Sequence, residues 1–292
     1  MNKVLIASTN LHLIDCLIIK NQFKDNFHLV FIGKKNILFE NIKNQFHSFL
    51  YLEENKNSQK VKLRIQNSKK LLEFIKNLNP SEIIVGNDRK IETAILIKNY
   101  NSTYSYMDDG LHSYILEKQH PFKYTFLEKK LKEFIYKNRL VLPKFIGCGK
   151  YIKNAYLFKP EFANSCLKNK NLIKLDINKL KIDIKLDIPK FKKLILLPHP
   201  KFITPKILEK IKQYIDKDTA IKLHPRDENR YFDIITINKE IPLEVLLLQI
   251  DKKTKIYGYK TTAILIAKWL GFEVYSFEND EFMQKNGIKV ID

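Results

Sequence analysis

Glycine is scarce in this chain, with 8 residues among 292. No Gly-rich dinucleotide fingerprint can be written from so few, which excludes the simplest class of nicotinamide or flavin enzyme. Cysteine is scarcer still. Cys16, Cys148 and Cys166 are three in number, widely spaced and without a C-x-x-C pair. That pattern reads as free thiols of a reducing compartment and excludes a disulfide framework or a zinc site. No apolar run approaches the ~20 residues of a membrane span. The opening stretch MNKVLIASTNLHLIDCLIIK is broken by Ser8, Thr9, Asn10 and His12 and has no small-residue cleavage site, so it does not read as a signal peptide. A cytoplasmic location follows as the expectation, extended at most to the inner face of the cytoplasmic membrane. No Asp-x-Asp stands at a strand end to hold a metal, and no internal repeat, helix-turn-helix pattern or RNA-binding aromatic signature is present.

Acidic residues are also outnumbered, 32 against 52 Lys and Arg, for a formal charge of +20. The lysines run over the whole length, Lys greatly exceeds Arg, and Asn and Ile are abundant, which makes much of the charge compositional. Nucleic acid is disfavoured as a partner. An anionic membrane surface, glycan or nucleotide fits better. With 45% hydrophobic and 12% aromatic residues the chain can bury substantial cores, and its length suits two domains.

Apolar runs alternate with helical spacing through the first half. Strands are predicted at 3–7, 27–33, 49–54, 81–87 and 102–110, and helices at 8–23, 58–79, 90–100 and 125–139. The pattern then dissolves, and residues 141–193 read as linker plus edge structure. A second alternation follows, with strands at 192–200, 219–225, 254–259 and 272–278 and helices at 204–216, 241–250 and 261–271. This grammar predicts mostly parallel sheets with helices on both faces. The predicted architecture is two Rossmann-like domains facing each other across a cleft, with ligands at the carboxyl ends of the strands. Their expected limits are 1–165 and 192–292, joined by a linker at 166–191.

Three polar clusters fall at strand ends. Asp108-Asp109-Gly110 places two carboxylates side by side. Both cannot be comfortably ionised in a dry site, and one with a raised pKa is a good general base. Alternation along a strand sends one into the cleft and leaves the other to brace the loop. Asp-Asp-Gly is equally ordinary turn chemistry. Lys222-Leu223-His224-Pro225-Arg226-Asp227 offers an imidazole for a phosphate or a proton, although a lone histidine is more often structural and Arg226-Asp227 can be a local ion pair. A second His-Pro, His199-Pro200, is structural or cleft-lining. Tyr257-Gly258-Tyr259-Lys260-Thr261-Thr262 opens a helix with two hydroxyls beside unpaired N–H groups, which suits a phosphate but is also plain N-capping.

In conjunction, MDDG (107–110), KLHPRD (222–227) and Thr261-Thr262 resemble, in order and spacing, the D/E-D/E-G, HP and paired Ser/Thr motifs of the bacterial GT-B sialyltransferases of the lipooligosaccharide and polysialyltransferase type. The resemblance implies metal-independent, inverting transfer of sialic acid from CMP-sialic acid to a hydroxyl of a cell-surface glycan, with a lipid-linked acceptor. No cofactor is expected beyond the donor substrate. It also implies an acid of the Asp108-Asp109 pair as base and His224 supporting the leaving phosphate. Lys222, His224, Pro225, Gly258, Thr261 and Thr262 would bind the CMP moiety. The alternatives are a GT-B transferase of another nucleotide sugar, a cell-wall polymer phosphotransferase, and a non-catalytic basic module that binds an anionic polymer. The oligomeric state, the acceptor and which aspartate is the base stay open.

Overall fold

The computed structural model describes residues 1–54, 60–100, 103–115 and 125–291. It divides into two compact units, Met1–Ile182 and Asp183–Asp292.

The first unit is built on seven strands: β1 (Asn2–Ala7), β2 (Asn26–Gly33), β3 (Ser48–Glu53), β4 (Glu82–Val85), β5 (Tyr104–Met107), β6 (Ile152–Leu157) and β7 (Asn171–Lys174). All pairs are parallel, in the order β3-β2-β1-β4-β5-β6-β7. The helices are α1 (Asn10–Gln22), α2 (Ile37–Ile42), α3 (Lys60–Leu78), α4 (Ile91–Tyr100), α5 (Leu111–Tyr114) and α6 (Phe126–Tyr136). Parallel strands covered on both faces read as unbroken apolar runs. β1 obeys this rule: Val4 to Ala7 are all buried, with Val4 and Ile6 in the cluster that also holds Val30, Val85, Tyr106 and Leu157. The strand order reverses between β1 and β4, where an open α/β sheet forms its crevice.

The second unit carries β8 (Lys193–Leu196), β9 (Thr219–Lys222), β10 (Ile235–Ile237), β11 (Lys255–Gly258), β12 (Glu273–Ser276) and β13 (Lys289–Val290). These are again all parallel, in the order β10-β9-β8-β11-β12-β13, with the reversal between β8 and β11. Its helices are α7 (Pro205–Lys212), α8 (Leu243–Gln249), α9 (Thr262–Trp269) and α10 (Glu281–Lys285). Tyr257 and Tyr275 stack across β11 and β12 at 4.8 Å between centroids.

Three sequence expectations need correction. The stretch 141–193 is not mainly linker: β6 and β7 extend the first sheet beyond β5. Lys153 and Asn154 interrupt the apolar run of β6 and hide its buried residues Ile152, Ala155, Tyr156 and Leu157. The extended run 171–188, crowded with Lys, yields a single short strand. Second, Cys148 and Cys166 form a disulfide, with Cα atoms 5.0 Å apart and a sequence separation of 18. Folding brings two loops together, and spacing along the chain carries no trace of that. Cys16 alone is a free thiol, buried, with its pKa pushed up by desolvation. Third, the short strands β10 and β13 at the edges of the second sheet escaped notice because two or three residues leave no period. Of the predicted elements, residues 58–59 of the helix at 58–79 and residue 102 of the strand at 102–110 lie outside the described residues. Among the described residues no helix is long and apolar enough to cross a membrane.

Candidate active site

In the first unit the carboxyl ends of β1, β4 and β5 gather four titratable side chains. β1 ends at Ala7, and Thr9 caps α1 by accepting the His12 N–H at 3.2 Å. That start places His12 one turn in, fully buried. Its Nδ1 accepts the Ser8 backbone N–H at 3.2 Å, so the ring proton sits on Nε2. Nε2 in turn donates to Asp109 Oδ1 at 3.0 Å. Gly86, just past β4, leaves room for the ring: a Cβ built there would fall on its atoms.

The two adjacent aspartates have different surroundings. Asp108 is fully buried. Its Oδ1 accepts the Gly110 N–H at 2.8 Å, and its Oδ2 accepts the Phe158 N–H at 3.1 Å and the Tyr114 hydroxyl. Burial pushes its carboxyl up to about 6 against these hydrogen bonds. Asp109 is 12% exposed, and its oxygens face His12 on one side. Its backbone N–H is held by Ser113 Oγ at 2.9 Å. Gly110 turns the chain at φ 64, a conformation glycine adopts without penalty. Asp108 therefore ties the loop to β6, and Asp109 is the carboxylate with an open side.

Asp88, after β4, is the fourth group. It is fully buried and accepts from Tyr104 Oη at 2.8 Å and the Gly147 N–H at 3.2 Å. Burial pushes its carboxyl up to about 6, and the Asp109 charge adds to the rise against those two hydrogen bonds. The unfolded value is ~4, so the stability contributed by the protonated form is complete below ~4 and is lost as pH climbs through the folded value. Asp88→Asn escapes that loss, because its amide can donate to Tyr104 while its oxygen keeps the Gly147 N–H. The variant's stability relative to wild type should rise by about 2–3 kcal/mol across that interval, read by urea unfolding at each pH. A difference that stays flat contradicts the assignment.

In the second unit β8, β9 and β11 are neighbours and end in register, Leu196 beside both Lys222 and Gly258. Two histidines follow. His199 Nδ1 accepts the Lys201 N–H and His224 Nδ1 accepts the Arg226 N–H, each at 3.2 Å. Both are the same His-Pro-x turn, a few residues past the strand end, in which the ring accepts the N–H of the residue after the proline. Both rings therefore carry their proton on Nε2, and neither Nε2 has a hydrogen-bond partner among the described residues. The ring centroids lie 4.7 Å apart. Burial pulls His224 down to about 4, helped by His199, Arg226 and Lys222 and opposed by Asp227.

The remaining predicted residues divide. Thr261 stands at the cap position of α9, yet its side chain makes no capping hydrogen bond, so the helix does not use its hydroxyl. Thr262 is the half-buried first residue of that helix. Lys222 is buried, donates to Asn238 O at 3.1 Å, and is pulled down to about 8 by burial, with Glu244 and Glu240 opposing. Its ammonium is engaged with the loop after β10. Pro225 is exposed. Gly258 serves packing: a Cβ there would meet Ile264 Cγ2 at 2.7 Å, so α9 sits tight on β11 only over glycine. Asp227 folds its own loop, accepting from the Asn229 N–H at 3.1 Å and Tyr231 Oη at 3.1 Å; among the described residues no Arg226–Asp227 ion pair forms. No group of three or more His, Cys, Asp or Glu among the described residues is arranged to hold a metal ion.

Sequence reasoning missed His12 and Asp88 and left His199 unassigned. The signals were a histidine one turn into a helix that follows a strand, an acid just past Gly86 at another strand end, and the repetition of His-Pro after two apolar strands.

Comparison with known proteins places the fold. No family model and no curated protein matches the chain. Among solved structures it is similar to a UDP-GlcNAc 2-epimerase from Neisseria meningitidis bound to UDP-GlcNAc, with TM-score 0.59 and 13% identity over 99% of this chain and 87% of that one. It is similar to a putative UDP-N-acetylglucosamine 2-epimerase from Listeria monocytogenes, with TM-score 0.60 and 11% identity over 96% and 79%. It is also similar to Arabidopsis thaliana UGT89C1 complexed with UDP-L-rhamnose, with TM-score 0.55 and 9% identity over 99% and 84%. The chain has a GT-B-type fold, two Rossmann-like α/β units with parallel sheets. At these identities the likeness is one of fold.

Proposed function

We propose that the chain is a glycosyltransferase that takes its sugar from a nucleotide donor. The observation that carries this reading is Asp109, a carboxylate open on one side and oriented by the Nε2–H of His12. In this reading the acceptor hydroxyl gives its proton to Asp109 as its oxygen attacks the anomeric carbon. The bond from that carbon to the phosphate oxygen breaks, and the nucleotide leaves with the electron pair, inverting the centre. Asp108 braces the loop. His12 is a positioning residue.

The second unit supports the leaving group. Two imidazoles with their protons on Nε2 stand side by side, and Thr261 offers a hydroxyl that its helix does not consume. Preorganised donors of this kind stabilise charge that develops on a departing phosphate. In this reading His199, whose Nδ1 caps its own turn, turns its Nε2–H to the phosphate as the partner of His224. His199→Asn keeps an acceptor for the Lys201 N–H and removes the outer donor, so it should weaken nucleotide binding by about tenfold.

Two donors are supported by different observations. The motif order Asp108-Asp109-Gly110, His224-Pro225, Thr261-Thr262 favours CMP-sialic acid, with a glycan acceptor. The fold likeness to proteins bound to UDP-GlcNAc and UDP-L-rhamnose favours a UDP-sugar. The test is a melting and turnover panel of CMP-sialic acid, UDP-GlcNAc and a GDP-sugar, with CMP and UDP alone. One donor should raise the melting temperature and be slowly hydrolysed, and His199→Asn should blunt the shift. A panel in which no nucleotide moves the melting curve removes the reading. Conversion of UDP-GlcNAc to its C2 epimer, without transfer, would assign epimerase chemistry instead.

A further inference from the structure

Helix α6 is turned the wrong way for a helix in water. Thr125 and Glu128 form a full capping box at its start, and Lys137 closes it in the left-handed conformation. It is moored at its end: Tyr136 and Leu140 enter a cluster with Ile91, Ala94 and Ile95 of α4. The Leu140 N–H donates to Glu133 Oε1 at 3.1 Å. Residues 127, 131 and 134 share one face by helical spacing. That face points outward. Leu127 is 77% exposed, Leu131 59%, Phe134 82% and neighbouring Phe126 73%. Single exposed apolar residues need no explanation, but four large ones along one short helix do.

The charge beside this stripe indicates what it meets. Residues 125–139 hold Lys129, Lys130, Lys132, Lys137 and Arg139 against Glu128 and Glu133, five cations less two anions, or +3. Both acids are engaged: Glu128 in the capping box, and Glu133 with Lys130 at 3.5 Å and Lys129 at 4.0 Å. Lys130 Nζ also lies over the Phe126 ring at 5.7 Å. An apolar stripe flanked by a cationic surplus suits a surface with acyl chains beneath anionic headgroups.

We infer that α6 is a membrane-surface helix: Phe126, Leu127, Leu131 and Phe134 enter the interface of an anionic lipid leaflet while the flanking lysines and Arg139 meet its headgroups. The inference is independent of the donor. The test is co-flotation with vesicles of phosphatidylcholine mixed with phosphatidylglycerol, and with vesicles of phosphatidylcholine alone. Wild type should bind the mixed vesicles, and the binding should weaken as salt is raised. Leu127→Gln with Phe134→Gln should weaken it at least about tenfold, with an unchanged melting temperature, because both side chains are exposed. A Phe134→Trp variant on a Trp269→Phe background should shift its emission to the blue on the mixed vesicles. Failure of wild type to float with the mixed vesicles overturns the inference, as does a double variant that floats equally well. A wild-type dimer in sedimentation that the double variant turns into a monomer also overturns it and gives the stripe to a second copy of this chain.

Discussion

Asp109→Asn should lower transfer by about 10²–10⁴-fold while leaving nucleotide affinity and melting temperature unchanged. The substitution is close to the minimum possible. The introduced amide would keep an oxygen for the His12 Nε2–H, so the ring, its Ser8 contacts and the loop through Gly110 stay in place. What is lost is the capacity to take a proton. His199, His224 and Thr261, proposed to meet the donor phosphate, belong to the second unit and are untouched. Saturating donor and a fixed acceptor separate turnover from binding, and calorimetry with the nucleotide checks the binding arm. Transfer within a few-fold of wild type would remove Asp109 as base. A protein that only binds an anionic polymer predicts that outcome, with lysine changes doing the damage instead.

The neighbouring position should respond in a different currency. Asp108→Ala should cost about 3–5 kcal/mol of stability, since it strands the Gly110 and Phe158 N–H groups and the Tyr114 hydroxyl in a dry interior. Asp108→Asn should also destabilise, by about 2 kcal/mol or more, because each carboxylate oxygen receives a backbone N–H and an amide must turn its NH₂ toward one of them. This contrasts with Asp88, where one of the two donors is a hydroxyl that can reverse. Urea unfolding followed by circular dichroism reads both variants. An Asp108→Asn protein as stable as wild type would contradict the hydrogen-bond assignment. If the proposed role of Asp109 holds, the pair Asp108-Asp109 is one latch and one working carboxylate, and the two substitutions should separate in what they damage.

Much of this was legible in the sequence, for reasons that individual residues make plain. β1, β2, β4, β8 and β11 are central strands covered on both faces, so their side chains had to be continuously apolar, and they stand out. α1 announced itself through Thr9, and α7 through Thr204 and Pro205. The strand-end placement of Asp108-Asp109, His224 and Thr261 followed from β5, β9 and β11, which the apolar runs also marked. β6 and β7 did not stand out because Lys and Asn interrupt their apolar residues, and β10 and β13 because they span only three and two residues. The His12–Asp109 contact spans 97 positions and the His199–His224 contact 25, separations that local pattern cannot bridge. Lys222 and Gly258 were expected to bind the donor because of the motif resemblance. The fold adds a structural task to each: Lys222 donates to Asn238 O, and Gly258 makes room for Ile264.

The sulfur bridge between Cys148 and Cys166 gives the acidic cluster a vulnerability that none of its own atoms possesses. On one side it adjoins Gly147, whose N–H steadies Asp88. On the other it adjoins Asn164, whose amide holds the carbonyl of His112 and whose N–H reaches that of Ser113, in the segment behind Asp109. A thiol reagent that never approaches a carboxylate could therefore loosen both mountings at once, leaving the acids chemically whole but poorly aimed.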